Sequence, residues 1–211
     1  VRVLWSREDS VRWGAKRPPV AGGAHADGTG VLHVVRTPGI EAAVAAVAPG
    51  LRVVEVDHVG PPTSSAIRAA GWAEAVVLLA GARGHLEPVV SPDGAVAEAE
   101  VVDGRIRVRV AAGDPLDDVV CRSYAVGAAH MALGWVTSES LAVDEAGEVH
   151  DLTIRSFGIL RAVDTPPIEV EIDPAPGPPV NGSDAVFAAV AAAVWLHQGT
   201  PTDLPTRRPL T

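Results

Sequence analysis

The stretch Gly60-Pro61-Pro62-Thr63-Ser64-Ser65, followed by Arg68, has the make-up of an anion site. It reads as a turn that opens a helix, with Thr63 or Ser64 as the cap. Backbone N–H groups at such a helix start face outward, and Ser64, Ser65 and Arg68 can add donors to them. The same residues also make an ordinary capped turn. A second group is Asn181-Gly182-Ser183-Asp184, where Asp184 falls at the start of the last helix. A carboxylate there is stabilised by the helix dipole by roughly 0.3–1 kcal/mol, so its position has a structural explanation too. The seven histidines, at 25, 33, 58, 85, 130, 150 and 197, lack metal-ligand spacing, and no metal site is expected. Gly-x-Ser-x-Gly, a phosphate-binding loop and a dinucleotide fingerprint are absent. Cys121 is the one cysteine. It excludes an intramolecular disulfide and an iron–sulfur cluster supplied by this chain alone, and on its helix it reads as buried and inert.

The elements that must position these groups follow from pattern. Residues 1–5, 31–35 and 51–56 read as strands, and 40–48 as a short Ala/Val helix stopped by Pro49-Gly50. A helix is expected over 65–80. Asp93-Gly94 and Asp103-Gly104 mark two hairpins, and residues 105–110 alternate Arg with Ile or Val, one face wet and one dry. Asp114-Pro115 reads as a helix start. Leu116, Val120, Tyr124, Gly127, Met131 and Trp135 then make a three-to-four stripe expected to face the core. A third hairpin turns at residues 144–147, residues 168–172 form a short strand, and a buried helix runs from about Ser183 to Gly199. The tail after Pro201 is expected to wrap the surface or fray. The fold class is therefore α+β, layers of mixed and antiparallel sheet with packed Ala-rich helices. Residues 1–211 are read as one module, with 1–84 and 85–211 as possible halves.

Composition sets the limits. The 211 residues are 47% hydrophobic but only 4% aromatic, so the core must be Ala, Val and Leu, which suits tight helix-on-sheet layers. Net charge is −9 and no basic stripe occurs, which argues against nucleic acid. The first residues lack the pattern of a signal peptide, and the longest apolar run, 185–196, is short of the ~20 residues that span a bilayer. No membrane association and a cytoplasmic location are expected.

Two stretches carry a resemblance. Val1-Arg2-Val3-Leu4-Trp5-Ser6-Arg7-Glu8-Asp9, with Lys16-Arg17-Pro18-Pro19, resembles the start of the molybdopterin-binding region of the xanthine dehydrogenase/aldehyde oxidase family. Gly127-Ala128-Ala129-His130-Met131-Ala132-Leu133-Gly134, then Ser138-Glu139, Asp144 with Gly147, and Asp164-Thr165-Pro166-Pro167-Ile168-Glu169-Val170, is similar to a later stretch of the same subunit. Between them, Thr37-Pro38-Gly39, Gly71 and Ala73 follow the family more loosely. The resemblance runs through nearly the whole chain in order, in a much condensed form.

The resemblance implies a component of a molybdenum hydroxylase. Gly60, Thr63, Ser64, Ser65, Arg68, Gly182 and Ser183 would contact molybdopterin, with Asp184 as the catalytic base. Arg155 and Arg161, also solvated strand charges on their own, would lie near a substrate funnel. The departures count against independent catalysis. Pro38 stands where the family has a glutamine, and Met131-Ala132 where a second Gln-Gly pair belongs. Asp184 is one methylene shorter than the family's glutamate, and moving a base by about 1 Å can cost on the order of 10²-fold. Three functions follow. The chain is a non-catalytic component paired with a partner subunit or with itself, or an oxidoreductase component that binds molybdopterin together with a partner. The third is a cofactor-free enzyme or scaffold reusing the vacated pocket, with Asp57, Asp184 or Tyr124 as acid or base.

Overall fold

The computed structural model describes residues 2–6, 17–57, 62–140, 142–146, 148–150 and 153–210. The chain opens with strands β1 (Arg2–Ser6), β2 (Val20–Ala24) and β3 (Gly30–Val35), helix α1 (Ile40–Val47), strand β4 (Leu51–Val56) and helix α2 (Trp72–Arg83). Strands β5 (Val89–Val90), β6 (Val96–Val102) and β7 (Arg105–Ala111) follow, then the long helix α3 (Asp118–Thr137). Next come β8 (Ala142–Val143), β9 (Val149–His150), the single turn α4 (Ile154–Phe157), β10 (Ile168–Ile172), α5 (Gly182–His197) and β11 (Asp203–Leu204).

Among the described residues these make a five-stranded sheet, β11-β1-β2-β3-β4, a four-stranded sheet, β10-β7-β6-β5, and the pair β8-β9. Both larger sheets are mixed. The β1-β2-β3 meander is antiparallel, while β3–β4 and β1–β11 are parallel. β7 runs antiparallel to β6 and parallel to β10. The architecture is α+β.

Two helices fill the middle. Every residue of α5 from Ala185 to Trp195 is buried, and so is α2 from Trp72 to Gly81. A helix apolar all round must be covered all round. Here α2 packs on β1 and β2, α5 on β5, β6 and β7, and the two helices on each other. Small residues let them approach closely: a Cβ on Gly81 would stand 2.2 Å from Trp195 Cζ3. One buried cluster runs from Val20 to Leu204. On β7, Ile106, Val108 and Val110 point into it while Arg105, Arg107 and Arg109 face solvent, as the alternation requires.

Three local expectations change. The helix expected over 65–80 begins at Trp72, because residues 65–71 form turns, with Ala69 at φ 50° and Gly71 at φ 76° ahead of it. α3 is capped by Asp117, not Asp114: the Asp117 carboxylate accepts from Val119 N and Val120 N at 2.8 and 3.0 Å. The stripe read as core-facing on α3 faces outward for most of its length. The buried face of α3 is Ala125, Ala128, Ala129, Ala132, Leu133 and Val136, packed on α5. Alanines hold the first part of that face, where a close helix-on-helix approach favours small residues, and toward the end of α3 Leu133 and Trp135 are buried too, Trp135 stacked on Phe187 of α5. The tail wraps rather than frays: β11 pairs with β1, and Thr206 N donates to Val136 O at 2.7 Å. Strand β2, Val-Ala-Gly-Gly-Ala, has a single strand-favouring residue, so local pattern does not mark it.

Candidate functional site: a groove between α3 and the start of α5

The start of α5 closes onto β7. A Cβ on Gly182 would lie 2.9 Å from Ala112 Cβ and 3.1 Å from Val110 Cγ2, so glycine sets this approach. Asn181 caps the helix: its Oδ1 accepts from Ser183 N at 3.1 Å and from Ser183 Oγ at 2.7 Å. Asp184, in the first turn, reaches across to the turn before α2. Its Oδ2 accepts from Ala69 N at 3.2 Å, and its Oδ1 lies 3.8 Å from Arg68 Nε. Arg68 Nε also donates to Ser183 Oγ at 3.3 Å, and Nη1 meets the Met131 sulfur at 2.7 Å.

What holds Arg68 there is Arg17. Its Nη1 donates to Arg68 O at 2.6 Å and its Nη2 to Ala69 O at 3.1 Å. The same guanidinium pairs with Glu74 on α2 and lies over the rings of Trp135 and Phe187, 4.9 and 4.5 Å from their centroids. A charge-assisted clamp thus fixes a turn whose Ala69 is in a left-handed conformation. In the sequence Arg17 stands out only as part of the Lys16–Pro19 resemblance, and Glu74 not at all. No periodicity marks either, since the pair joins residues far apart in the chain.

Beyond this polar end the groove opens along α3. It has a volume of about 1220 Å³. Ala66, Ile67, Leu116, Val120, Tyr124 and Met131 give it apolar walls. Ser65, Arg68, Gly182, Ser183 and Asp184, five of the residues expected to form a site, line it together. Thr63 does not: it is buried elsewhere, and its hydroxyl has no hydrogen-bond partner among the described residues. Ser64 only closes a local turn, accepting from Ala66 N at 3.2 Å. Gly60 lies outside the described residues, as does the Arg155 side chain. Asp57 is exposed, 3.4 Å from Arg36, and Arg161 pairs with Asp164 at 2.6 Å. Cys121 lines the groove; burial, and then the nearby Asp118 charge, pushes its thiol above the usual range, the opposite of what a nucleophile needs. His130 contacts Leu160 O at 3.1 Å. Among the described residues no cluster of three His, Cys, Asp or Glu is placed to hold a metal, and no helix is long and apolar enough to cross a membrane.

The residues at the polar end do not fit a molybdopterin phosphate. Such a group needs cations and free N–H donors. The Asn181 and Asp117 side chains take the N–H groups of Ser183, Val119 and Val120. Arg68 is the only cation among the described groove residues and stands beside Asp184, while Asp117 adds a second negative charge.

No family model matches this sequence, and no curated protein matches it. The chain is similar in structure to a Cu,Mo-CO dehydrogenase in the carbon monoxide reduced state, at TM-score 0.41 and 11% identity, covering 91% of this chain and 36% of that one. Reconstituted CO dehydrogenase from Oligotropha carboxidovorans gives 0.41 and 11%, covering 91% and 35%. Quinoline 2-oxidoreductase from Pseudomonas putida 86 gives 0.40 and 11%, covering 92% and 37%. This chain therefore spans little more than a third of the length of the chains it is similar to, and the likeness to these oxidoreductases is a distant one.

Proposed function

We propose that the chain is a xanthine dehydrogenase/aldehyde oxidase-like component of an oxidoreductase, one module over residues 1–211, that acts with a partner subunit and is not catalytic alone. The observation that carries this is the groove. Ser65, Arg68, Ser183 and Asp184 line one end of it, as the sequence resemblance implies, yet Arg68 is engaged with both Ser183 and Asp184. Arg68 and Asp184 face each other at 3.8 Å, and the Asn181 side chain takes the Ser183 N–H at 3.1 Å. Among the described residues, Arg68 is the one groove cation and the Ser183, Val119 and Val120 N–H groups are already taken, so in this reading a partner chain brings the donors that grip an anionic cofactor. The open apolar wall on α3 leaves room for that chain. In such an assembly Asp184 orients the 65–71 turn through Ala69 N, and Arg68 positions the Asp184 carboxylate.

The test is a reconstituted complex carrying Asp184→Ala. The proposal expects molybdenum and pterin to stay with the partner in unchanged amount, because this chain does not hold them. Loss of both from the complex would assign cofactor binding to Asp184 and overturn the reading. A second reading, a cofactor-free enzyme or scaffold, is favoured by the groove having stayed open. Turnover by the purified chain alone, lost in Asp184→Asn, would establish it.

A further inference from the structure

Along the outside of α3 and just before it, several large apolar side chains lie bare. Leu116, just before it, is 94% exposed, Val119 78%, Tyr124 63%, Val120 50% and Met131 46%. Leu116, Val120 and Tyr124 recur every four residues, and Met131 follows seven later, the spacing with which one helix face meets another. Gly127 belongs to the same face, and a Cβ there would meet nothing within 4 Å. A contiguous exposed apolar stripe of this kind marks an interaction surface.

We propose that this face docks a basic amphipathic helix of a partner protein, a proposal that rests on the reading above that the chain works with a partner. Charge selects the sign of the occupant. Asp114, Asp117 and Asp118 are exposed at the head of the stripe, and no described cation forms an ion pair with them. A helix bearing Lys or Arg beside its apolar face would pair with that rim. A second copy of this chain would bring the same aspartates and a net charge of −9 against it. An anionic membrane surface is repelled by the same groups. Size argues for a helix over a small molecule: the groove's roughly 1220 Å³ exceeds the ~300–1,000 Å³ of ordinary ligand pockets. From Asp118 to Met131, α3 offers a straight wall of roughly 20 Å.

The experiment titrates the purified chain with three fluorescent peptides of about 18 residues, enough for roughly five helical turns. One is an amphipathic Leu/Lys helix, one its Leu/Glu counterpart, and one a shuffled Leu/Lys sequence. Vesicles of phosphatidylcholine with phosphatidylglycerol form the fourth arm. The Leu/Lys helix should bind about tenfold or more tighter than either other peptide, and more weakly as salt rises. Leu116→Ser with Val120→Ser should cut that binding about tenfold or more while leaving the melting temperature unchanged. Equal binding of the shuffled or acidic peptide, a preference for vesicles, or self-association that Leu116→Ser abolishes would each overturn the proposal. A photo-crosslinker at Val120 in the native complex separates the two readings. A link to a partner segment that is not basic and amphipathic refutes the docking proposal and leaves the partner reading intact. Absence of any complex refutes the partner reading and the docking proposal with it.

Discussion

Arg17 meets Glu74 side-on, Nε to Oε1 at 2.8 Å and Nη2 to Oε2 at 3.0 Å, with 6% and 0% of the two side chains exposed. A bidentate pair this deep is a geometric lock more than a source of net stability, because desolvating both ions offsets their attraction. It ties the chain just before β2 to α2, and through the Arg68 and Ala69 carbonyls to the polar end of the groove. Removing one partner is therefore the costly change. Arg17→Ala or Glu74→Ala should destabilise the fold by about 3–5 kcal/mol in urea denaturation. Replacing both by apolar residues of similar volume should cost little or even stabilise. If the single variants lose less than about 1 kcal/mol, the pair is not the lock described.

Two glycines, one on α3 and one on α2, should respond in opposite directions to the same added methyl. Gly127 lies on the open face of α3 with space around its Cα, so Gly127→Ala should raise stability by about 1 kcal/mol through helix propensity. Gly81 on α2 has the Trp195 ring 2.2 Å from where a Cβ would stand, so Gly81→Ala should cost about 1–3 kcal/mol through overpacking. Thermal melts of the two variants decide. Equal shifts in both would mean that α3 is covered or that the contact of α2 with α5 is looser than described.

The solvent face of the four-stranded sheet sets acid sensitivity. Glu169 on β10 is held below the usual carboxylate range by hydrogen bonds from Arg105 and then Arg107 on β7. A carboxyl depressed in the folded state stabilises the fold above its unfolded pKa, near 4.3, and loses that contribution as pH falls through the folded value. The Tm should therefore drop on going from pH 7 to pH 3. Glu169→Gln should lower the Tm at pH 7 and narrow the difference between the two pH values. A Glu169→Gln variant with the full acid sensitivity would place the effect in other carboxylates. Added salt should shrink it as well, because the pair is exposed.

How much of this was legible in sequence differs by element. The β6–β7 hairpin could be read because Asp103-Gly104 forces the turn and the Arg/Ile/Val alternation on β7 fixes the buried face. Helix α5 was legible from its unbroken apolar run. Helix α3 was placed but turned the wrong way. Its large residues at 116, 120, 124 and 131 form one stripe and its alanines at 125, 128, 129 and 132 another, and size favoured the first. The packing against α5 favoured the second, and only the three-dimensional spacing of the two helices decides between them. At the site, the resemblance groups Ser65, Arg68, Gly182, Ser183 and Asp184, which line one groove, with Thr63 and Ser64, which do not. The Arg17–Glu74 clamp had no such signal, since a pair 57 residues apart leaves no mark in local pattern.

The central claim, that this chain works only as part of an assembly whose cofactor contacts lie elsewhere, is tested most directly by native mass spectrometry. The tagged chain would be purified from its own host, with molybdenum and pterin measured on each separated species. The account predicts a heteromeric complex, with molybdenum and pterin in the complex and neither on the free chain. A lone chain carrying stoichiometric molybdenum and pterin, or a monomer that never associates, would contradict it.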